Sequence, residues 1–270
     1  MATPLVQSVL RALGVLDELV GESEANEAGS LALSELARRS DLRPNTLHNL
    51  LRSLIAAGYA EPAGDGRYRI GPKCRAMGMR NRVAIWAETV RPLVDELITK
   101  TGESAVFCSL AGTERLTIYL RESHNPVRAT SKNPAHRHFY SLATSRVLAA
   151  WSDQSLREAL LARWGIPGRE FNGLRSARAL NAALDLVRET GYARCLTHDD
   201  QVTNWAVPVH TPAGKLLGAL GCYAPTFRSP PKRDRLVLTV LRQTAASIGA
   251  ALGAWADPHC PPLRHHDRQL

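Results

Sequence analysis

The sequence predicts an α+β chain of two domains: a small helical module with one β-hairpin, then a larger α/β domain on an antiparallel sheet. Three observations predict it. Apolar residues recur at helical spacing from Leu5 to Ile55. Two short strand-like runs then flank Asp65-Gly66, a hairpin signal. Beyond Thr101, strand-like runs interleave with amphipathic helices and end in a second hairpin. At 270 residues the chain can bury two ordinary cores.

Thr3 caps a first helix, with Pro4 at its first position and Leu5, Val9, Leu13, Leu16 and Val20 along one side. Gly21 to Gly29 reads as an acidic loop. A second helix starts at Ser34 and ends at Arg39. Ser40-Asp41-Leu42 turns, and a third helix runs from Pro44 to Ala57 with Gly58 at its C′ position. The hairpin follows, and 1–72 is the first domain. Residues 73–87 read as a linker helix weakened by Gly78, and 88–256 as the second domain. There, a helix Glu88–Thr101 precedes strands at Ala105–Ala111, Arg115–Arg121 and Val127–Ser131. Helices follow at Ala143–Trp151, Ser155–Trp164 and Ala177–Thr190, then strands at Trp205–Thr211 and Lys215–Tyr223 and a helix Lys232–Trp255. The Pro/His/Arg-rich tail 257–270 is expected to be disordered.

Charge is distributed unevenly. The formal net charge is +9, and residues 30–82 hold ten Lys or Arg against four Asp or Glu. A basic module of that kind is the electrostatic footprint of a nucleic-acid binder. Its middle fits a helix-turn-helix: Ala37 is the small residue at the helix crossing, Asp41 sits in the turn, and Leu47 is the buried aliphatic. With the hairpin as a wing, this is a winged helix-turn-helix, whose second helix lies in the major groove of a double-stranded DNA operator. The residues expected at bases are Arg43, Pro44, Asn45, Thr46, His48, Asn49 and Arg52. Ser34, Arg38 and Arg39 on the crossing helix, and Arg67 and Arg69 on the wing, are expected to meet backbone phosphate.

These pieces together resemble the IclR family of bacterial transcriptional regulators. Val6 to Leu13 is similar to its opening helix, and Leu33 to Arg39 and Thr46 to Leu51 to its two motif helices. Gly58-Tyr59 with Gly66 to Pro72 is similar to its wing. Thr101 to Ser104, Gly191-Tyr192-Ala193 and Ala206 to Val209 resemble text in its second domain. The resemblance implies a GAF-like effector domain, a homodimer formed through the winged domain and often a dimer of dimers, and control by a small organic acid or aromatic metabolite.

The departures from the family bear on the effector. Where the family has a Gly-Lys pair this chain has Ser145-Arg146, Tyr140 replaces a His, and Gly221 and Tyr223 replace strand-end serines. The expected effector residues are Thr130, Tyr140, Ala143, Thr144, Cys195, Asn204, Trp205, Gly221 and Tyr223. Their aromatic rings favour a larger or aromatic ligand over a small keto acid. A rival reading takes Cys195, His198, Asp199 and Asp200 as a metal or nucleophile cluster in an enzymatic effector domain. Another treats the second domain as a pure oligomerisation unit. No second ligand pair and no oriented base accompany the cluster, so no metal, cofactor or catalytic residue is assigned. The five cysteines form no paired motif. No leader-like N-terminus and no membrane-length apolar run are evident, so a cytoplasmic location without membrane contact is expected.

Overall fold

The apolar stripe that opens the chain forms α1 (Gln7–Ala25), which buries Val15 and Leu19 at helical spacing. The computed structural model describes residues 5–25, 29–130, 138–197 and 200–253, and divides into two compact units between Val83 and Ala84. In the first unit α1 is followed by β1 (Leu31–Ala32), α2 (Leu33–Arg39), α3 (Pro44–Ala56), β2 (Ala60–Gly64) and β3 (Arg67–Ile70). The core gathers Val15, Leu19, Leu36, Leu47, Leu51 and Leu54. Three features differ from expectation. Helix α1 starts at Gln7 and not at Pro4, with Leu5 and Val6 irregular and Thr3 and Pro4 outside the described residues. α1 continues past Val20 into the acidic segment, where buried Glu22 accepts from Arg39 at 3.0 Å. Leu31–Ala32 pairs with β3, so the sheet has three strands in the order β1-β3-β2.

The turns follow from residue type. Asp41 adopts φ 50°, a left-handed conformation that Asp tolerates better than most side chains. Asp65 and Gly66 both have positive φ, 48° and 67°, as a two-residue type I′ hairpin requires.

The expected linker and the helix after it are one helix, α4 (Pro72–Thr101), with Gly78 and Pro92 inside it. Those two residues cost a helix interior roughly 1 and 3 kcal/mol. Burial of Trp86, Val90, Val94, Leu97 and Ile98 outweighs that, at about 1.5–3 kcal/mol for each fully buried large side chain.

The second unit is a five-stranded antiparallel sheet in the order β5-β4-β8-β7-β6. Its strands are β4 (Ser104–Ala111), β5 (Glu114–Arg121), β6 (Ala193–Thr197), β7 (Val202–His210) and β8 (Leu216–Pro225). One face packs Val106, Cys108, Cys195, Ala206, Ala219 and Tyr223 against α5 (Ala143–Trp151), with α6 (Gln154–Trp164) and α7 (Ala177–Thr190) behind it. The other face is covered by α8 (Pro231–Gly253), and there Phe107 stacks on Trp86 of α4 at 6.2 Å. α8 is long and apolar enough to cross a membrane by length and composition, contrary to expectation. It nevertheless buries Val237, Leu241, Ile248 and Leu252 in the core.

β6 was not anticipated. The expected strand Val127–Ser131 does not form: residues 127–130 are irregular, and Ser131 lies outside the described residues. Instead Ser104 Oγ donates to the Ala129 carbonyl at 3.0 Å and accepts from the Ser123 amide, so side-chain bonds replace a ladder. Next to Ser104, Gly102 turns with φ 70° and the Glu103 carboxylate is 1% exposed. It accepts from Arg228 at 3.1 and 2.7 Å and from Arg233 at 3.2 Å, joining the end of α4 to the start of α8. The tail 257–270 lies outside the described residues.

Candidate nucleic-acid interface and effector site

Helix α3 starts at Pro44, whose missing N–H costs nothing at the first helical position, after Arg43 in an extended conformation. Leu47, Leu51 and Leu54 are buried, which turns Asn45, His48, Asn49 and Arg52 to solvent, with Thr46 half-buried at the edge. Its C-terminus is fixed twice. Gly58 at φ 79° sends its amide to the Ile55 carbonyl, and the Tyr59 amide reaches the Leu54 carbonyl at 2.8 Å, a Schellman motif. Gly71, at the exit of the wing, lies so close that a Cβ there would sit 2.4 Å from the Gly58 carbonyl oxygen. The wing strand is thereby pressed onto the end of α3.

The basic side chains divide into two sets. Arg43 and Arg52 hold no ion pair among the described residues. Arg38 forks onto Glu35 at 3.0 and 2.7 Å, and Arg39 reaches Glu35 at 2.7 Å and Glu22 at 3.0 Å. These hydrogen bonds hold the Glu35 carboxyl down at about 2. Arg67 donates to the Ser30 hydroxyl at 3.0 Å and to the Ser30 carbonyl. Arg69 reaches Glu61 at 2.7 Å, and Arg75 forks onto the same carboxylate at 3.1 Å twice, so Glu61 titrates below its usual range. Four arginines expected to face phosphate unencumbered are therefore engaged within the module. Glu35 lies one helical turn before Arg38 and Arg39, Glu61 comes beside Arg69 across the hairpin, and Arg67 is held by Ser30. Ser34 is exposed in the first turn of α2 and does not cap it; the cap position is Ala32.

In the second unit, strand alternation sorts the expected effector residues. Gly221, Tyr223, Asn204 and Cys195 share the α5 face through the pairings Val106–Gly221–Ala206 and Ser104–Tyr223–Asn204–Cys195. Ala143 and Thr144 open α5 above them, and a Cβ at Gly221 would meet Thr144 Cγ2 at 2.6 Å. Trp205 does not belong to the set. It faces the opposite side of the sheet and donates its indole N–H to Asp234 of α8 at 3.0 Å. Tyr140 is buried beside Phe139, and Arg157 of α6 is the charge that acts on its hydroxyl. Thr130 is half-buried next to buried Ala129.

Among the described residues the Tyr223 and Tyr140 hydroxyls have no partner within hydrogen-bond distance, and burial pushes both up to about 12, with the nearby Ser104 hydroxyl opposing the rise at Tyr223. Several neighbours escaped sequence reasoning. Ser104 reaches the set from β4. Arg115 donates to Cys108 Sγ at 3.2 Å and to Thr144 Oγ1 at 3.4 Å. Arg146 is buried, donates to the Tyr140 and Glu170 carbonyls at 2.8 Å, and lies 3.8 Å over the Phe171 ring. It straps the α5 surroundings together and does not present a cation to a ligand. The signal for it was present: Ser145-Arg146 stands where the family has Gly-Lys, and Arg146 precedes the apolar run Val147 to Ala150.

Of the rival metal cluster, Cys195 is buried on β6 and donates to the Ser141 carbonyl, while Asp200 is exposed. His198 and Asp199 lie outside the described residues. Among the described residues no group of three or more His, Cys, Asp or Glu is placed to hold a metal ion.

Comparison with known proteins matches both parts of the chain. A family model described as the IclR helix-turn-helix domain matches residues 8–64, and one described as the C-terminal domain of the bacterial transcriptional regulator IclR matches residues 81–250. The chain is 29% identical over 260 residues to the HTH-type transcriptional regulator XynR of Escherichia coli, covering 93% of this chain and 98% of that one. The crystal structure of an IclR transcriptional regulator from Silicibacter superposes with a TM-score of 0.58 at 27% identity, over 94% of this chain and 98% of that one. An IclR homologue of Microbacterium hydrocarbonoxydans complexed with 4-hydroxybenzoate shares the fold, with a TM-score of 0.53 at 20% identity over 92% of this chain and 100% of that one.

Proposed function

Because the chain belongs to the IclR family of bacterial transcriptional regulators, we propose that α3 reads an operator in the major groove and that a small organic ligand beneath α5 sets how tightly it does so. The observation that carries this reading is the polar α3 face, Asn45, His48, Asn49 and Arg52, held over a leucine core and locked at its C-terminus by the wing. Asn45 and Asn49 suit adenine and Arg43 and Arg52 suit guanine or phosphate, with Pro44 and Thr46 at the edge of the contact. Ser34, Arg38, Arg39, Arg67 and Arg69 flank that face as positioning groups for the DNA backbone.

A second copy of the chain completes the regulator. Leu5, Val6, Val9, Leu10 and Leu13 are 45–72% exposed along one stretch of α1 and its approach, an apolar surface that suits a homodimer through the winged unit. The effector reading rests on Tyr223, whose buried, unpartnered hydroxyl sits among Thr144, Asn204 and Gly221 on the α5 face. An aromatic acid or phenol suits that wall better than a small keto acid, with Tyr223 rather than Trp205 as the aromatic contact. The place of action is the cytoplasm, where the operator is, and nothing in this reading calls for a metal, a cofactor or a catalytic step.

Selection of bound duplexes from a random pool at physiological salt tests the DNA reading. Enrichment of one sequence supports it, and an unenriched pool removes it. A thermal-shift series with 4-hydroxybenzoate, other aromatic acids, glyoxylate and pyruvate tests the ligand reading. Stabilisation by the aromatic acids is expected, and stabilisation by the keto acids alone overturns it.

A further inference from the structure

The two flanks of the reading helix repeat one arrangement. Glu35 of α2 accepts three guanidinium hydrogen bonds, a fork from Arg38 and one from Arg39. Glu61 of β2 also accepts three, a fork from Arg75 and one from Arg69. In each cluster one carboxylate uses both its oxygens to occupy two arginines. All six side chains retain solvent access, from 24% for Glu61 to 73% for Arg38, and exposed ion pairs of this kind contribute little to folding. A forked guanidinium on two oxygens is also how arginine grips phosphate. The same donors cannot serve a carboxylate and a DNA phosphate at once.

We propose that Glu35 and Glu61 are internal competitors of DNA phosphate, each occupying two arginines beside α3 and thereby holding down the module's affinity for arbitrary duplex. The inference rests on α3 being the DNA reader. It makes the two acids determinants of specificity: with the backbone grip restrained, base contacts along α3 carry a larger share of binding. The opposite role is also chemically available to them, because a carboxylate can hold an arginine in the orientation phosphate needs. The two roles differ in sign.

The experiment uses the full chain with Glu35→Gln, Glu61→Gln and the double substitution, all checked for unchanged melting. Dissociation constants for a random-sequence duplex are measured across about 50 to 200 mM salt. Each released arginine is expected to steepen the log–log salt dependence by about 0.9. Glu61→Gln therefore gains up to about 1.8, and Glu35→Gln about 0.9, because Arg39 keeps its ion pair with Glu22 at 3.0 Å. Random-duplex affinity at about 0.1 M salt is expected to rise by roughly tenfold per released arginine. Adding Arg69→Ala and Arg75→Ala to Glu61→Gln should return the slope to that of the starting protein. Asp65→Asn, which removes a charge from the wing tip without releasing an arginine, should move the slope by less than half as much. Unchanged random binding in Glu61→Gln overturns the proposal, and weaker binding overturns it and assigns the acid the orienting role. If the unaltered protein binds no duplex at all, it is the function reading that fails.

Discussion

Replacing Glu103 by glutamine removes the charge that Arg228 and Arg233 share while keeping the side chain's size. The carboxylate is 1% exposed, and its partners are 25% and 31% exposed. Breaking a buried pair by removing one partner costs about 3–5 kcal/mol, and the solvent access of the two arginines argues for the low end, about 3 kcal/mol. In a unit of this size each kcal/mol moves the melting temperature by about 2–4 °C, so a fall of about 6–12 °C is expected. All five tryptophans (Trp86, Trp151, Trp164, Trp205 and Trp255) follow the boundary at Ala84, so fluorescence-detected melting reports the second unit alone. Glu103→Ala should fall at least as far, since it also loses packing. A shift below about 2 °C in both would show that the arginines find other partners, and the reasoning that the turn is pinned by this charge would be refuted.

Four further outcomes follow from the same geometry. Tyr223→Phe removes a buried hydroxyl without a partner and should leave stability unchanged or raise it by about 1 kcal/mol, while abolishing stabilisation by an aromatic acid; urea melts with and without ligand measure both. Gly71→Ala places a methyl against the Gly58 carbonyl and should cost the winged unit about 1–3 kcal/mol, read by far-UV circular dichroism. Leu13→Glu, in the exposed apolar stretch of α1, should shift the sedimenting species from dimer to monomer; an unchanged mass would place the interface elsewhere. The Glu35 carboxyl should titrate near 2 when followed by carbon-13 NMR. Its pKa is depressed on folding, so whatever its pairing contributes is present above the ordinary carboxylate value of 4.5 and is lost as pH falls toward about 2.

Much of the first unit was legible because its signals are local. Gly58 ends α3 by its own backbone freedom, Asp65-Gly66 makes its own turn, and the stripe Leu47, Leu51, Leu54 needs no partner to be recognised. What escaped depends on contacts between distant residues. β1 is two residues long and exists only because β3 lies beside it. α4 is continuous across Gly78 and Pro92 because its apolar side finds a sheet. β6 was readable in principle, since Ala193 and Cys195 point inward while Arg194 and Leu196 do not, but Cys195 drew attention as part of a Cys-His-Asp-Asp cluster and not as a strand residue.

The effector set shows the same divide. Asn204 and Trp205 are neighbours on one strand, so they could not both face one cavity, and parity should have removed Trp205. Helical spacing of three and four residues could have assigned Arg38 and Arg39 to Glu35, but no comparable rule joins Glu61 to Arg69 and Arg75. That choice belongs to long side chains and to the fold that brings the acid within reach.

The measurement that bears most directly on the account compares the unaltered chain with Asn45→Ala and Asn49→Ala on the duplex recovered by selection and on single-base variants of it. The account predicts one preferred sequence, with half-sites about one helical turn or a multiple apart. Each substitution should flatten discrimination at one or two base pairs by about 1–3 kcal/mol while leaving random-duplex binding intact. Equal affinity of all three proteins for every base variant would contradict it, because the exposed face of α3 would then read nothing.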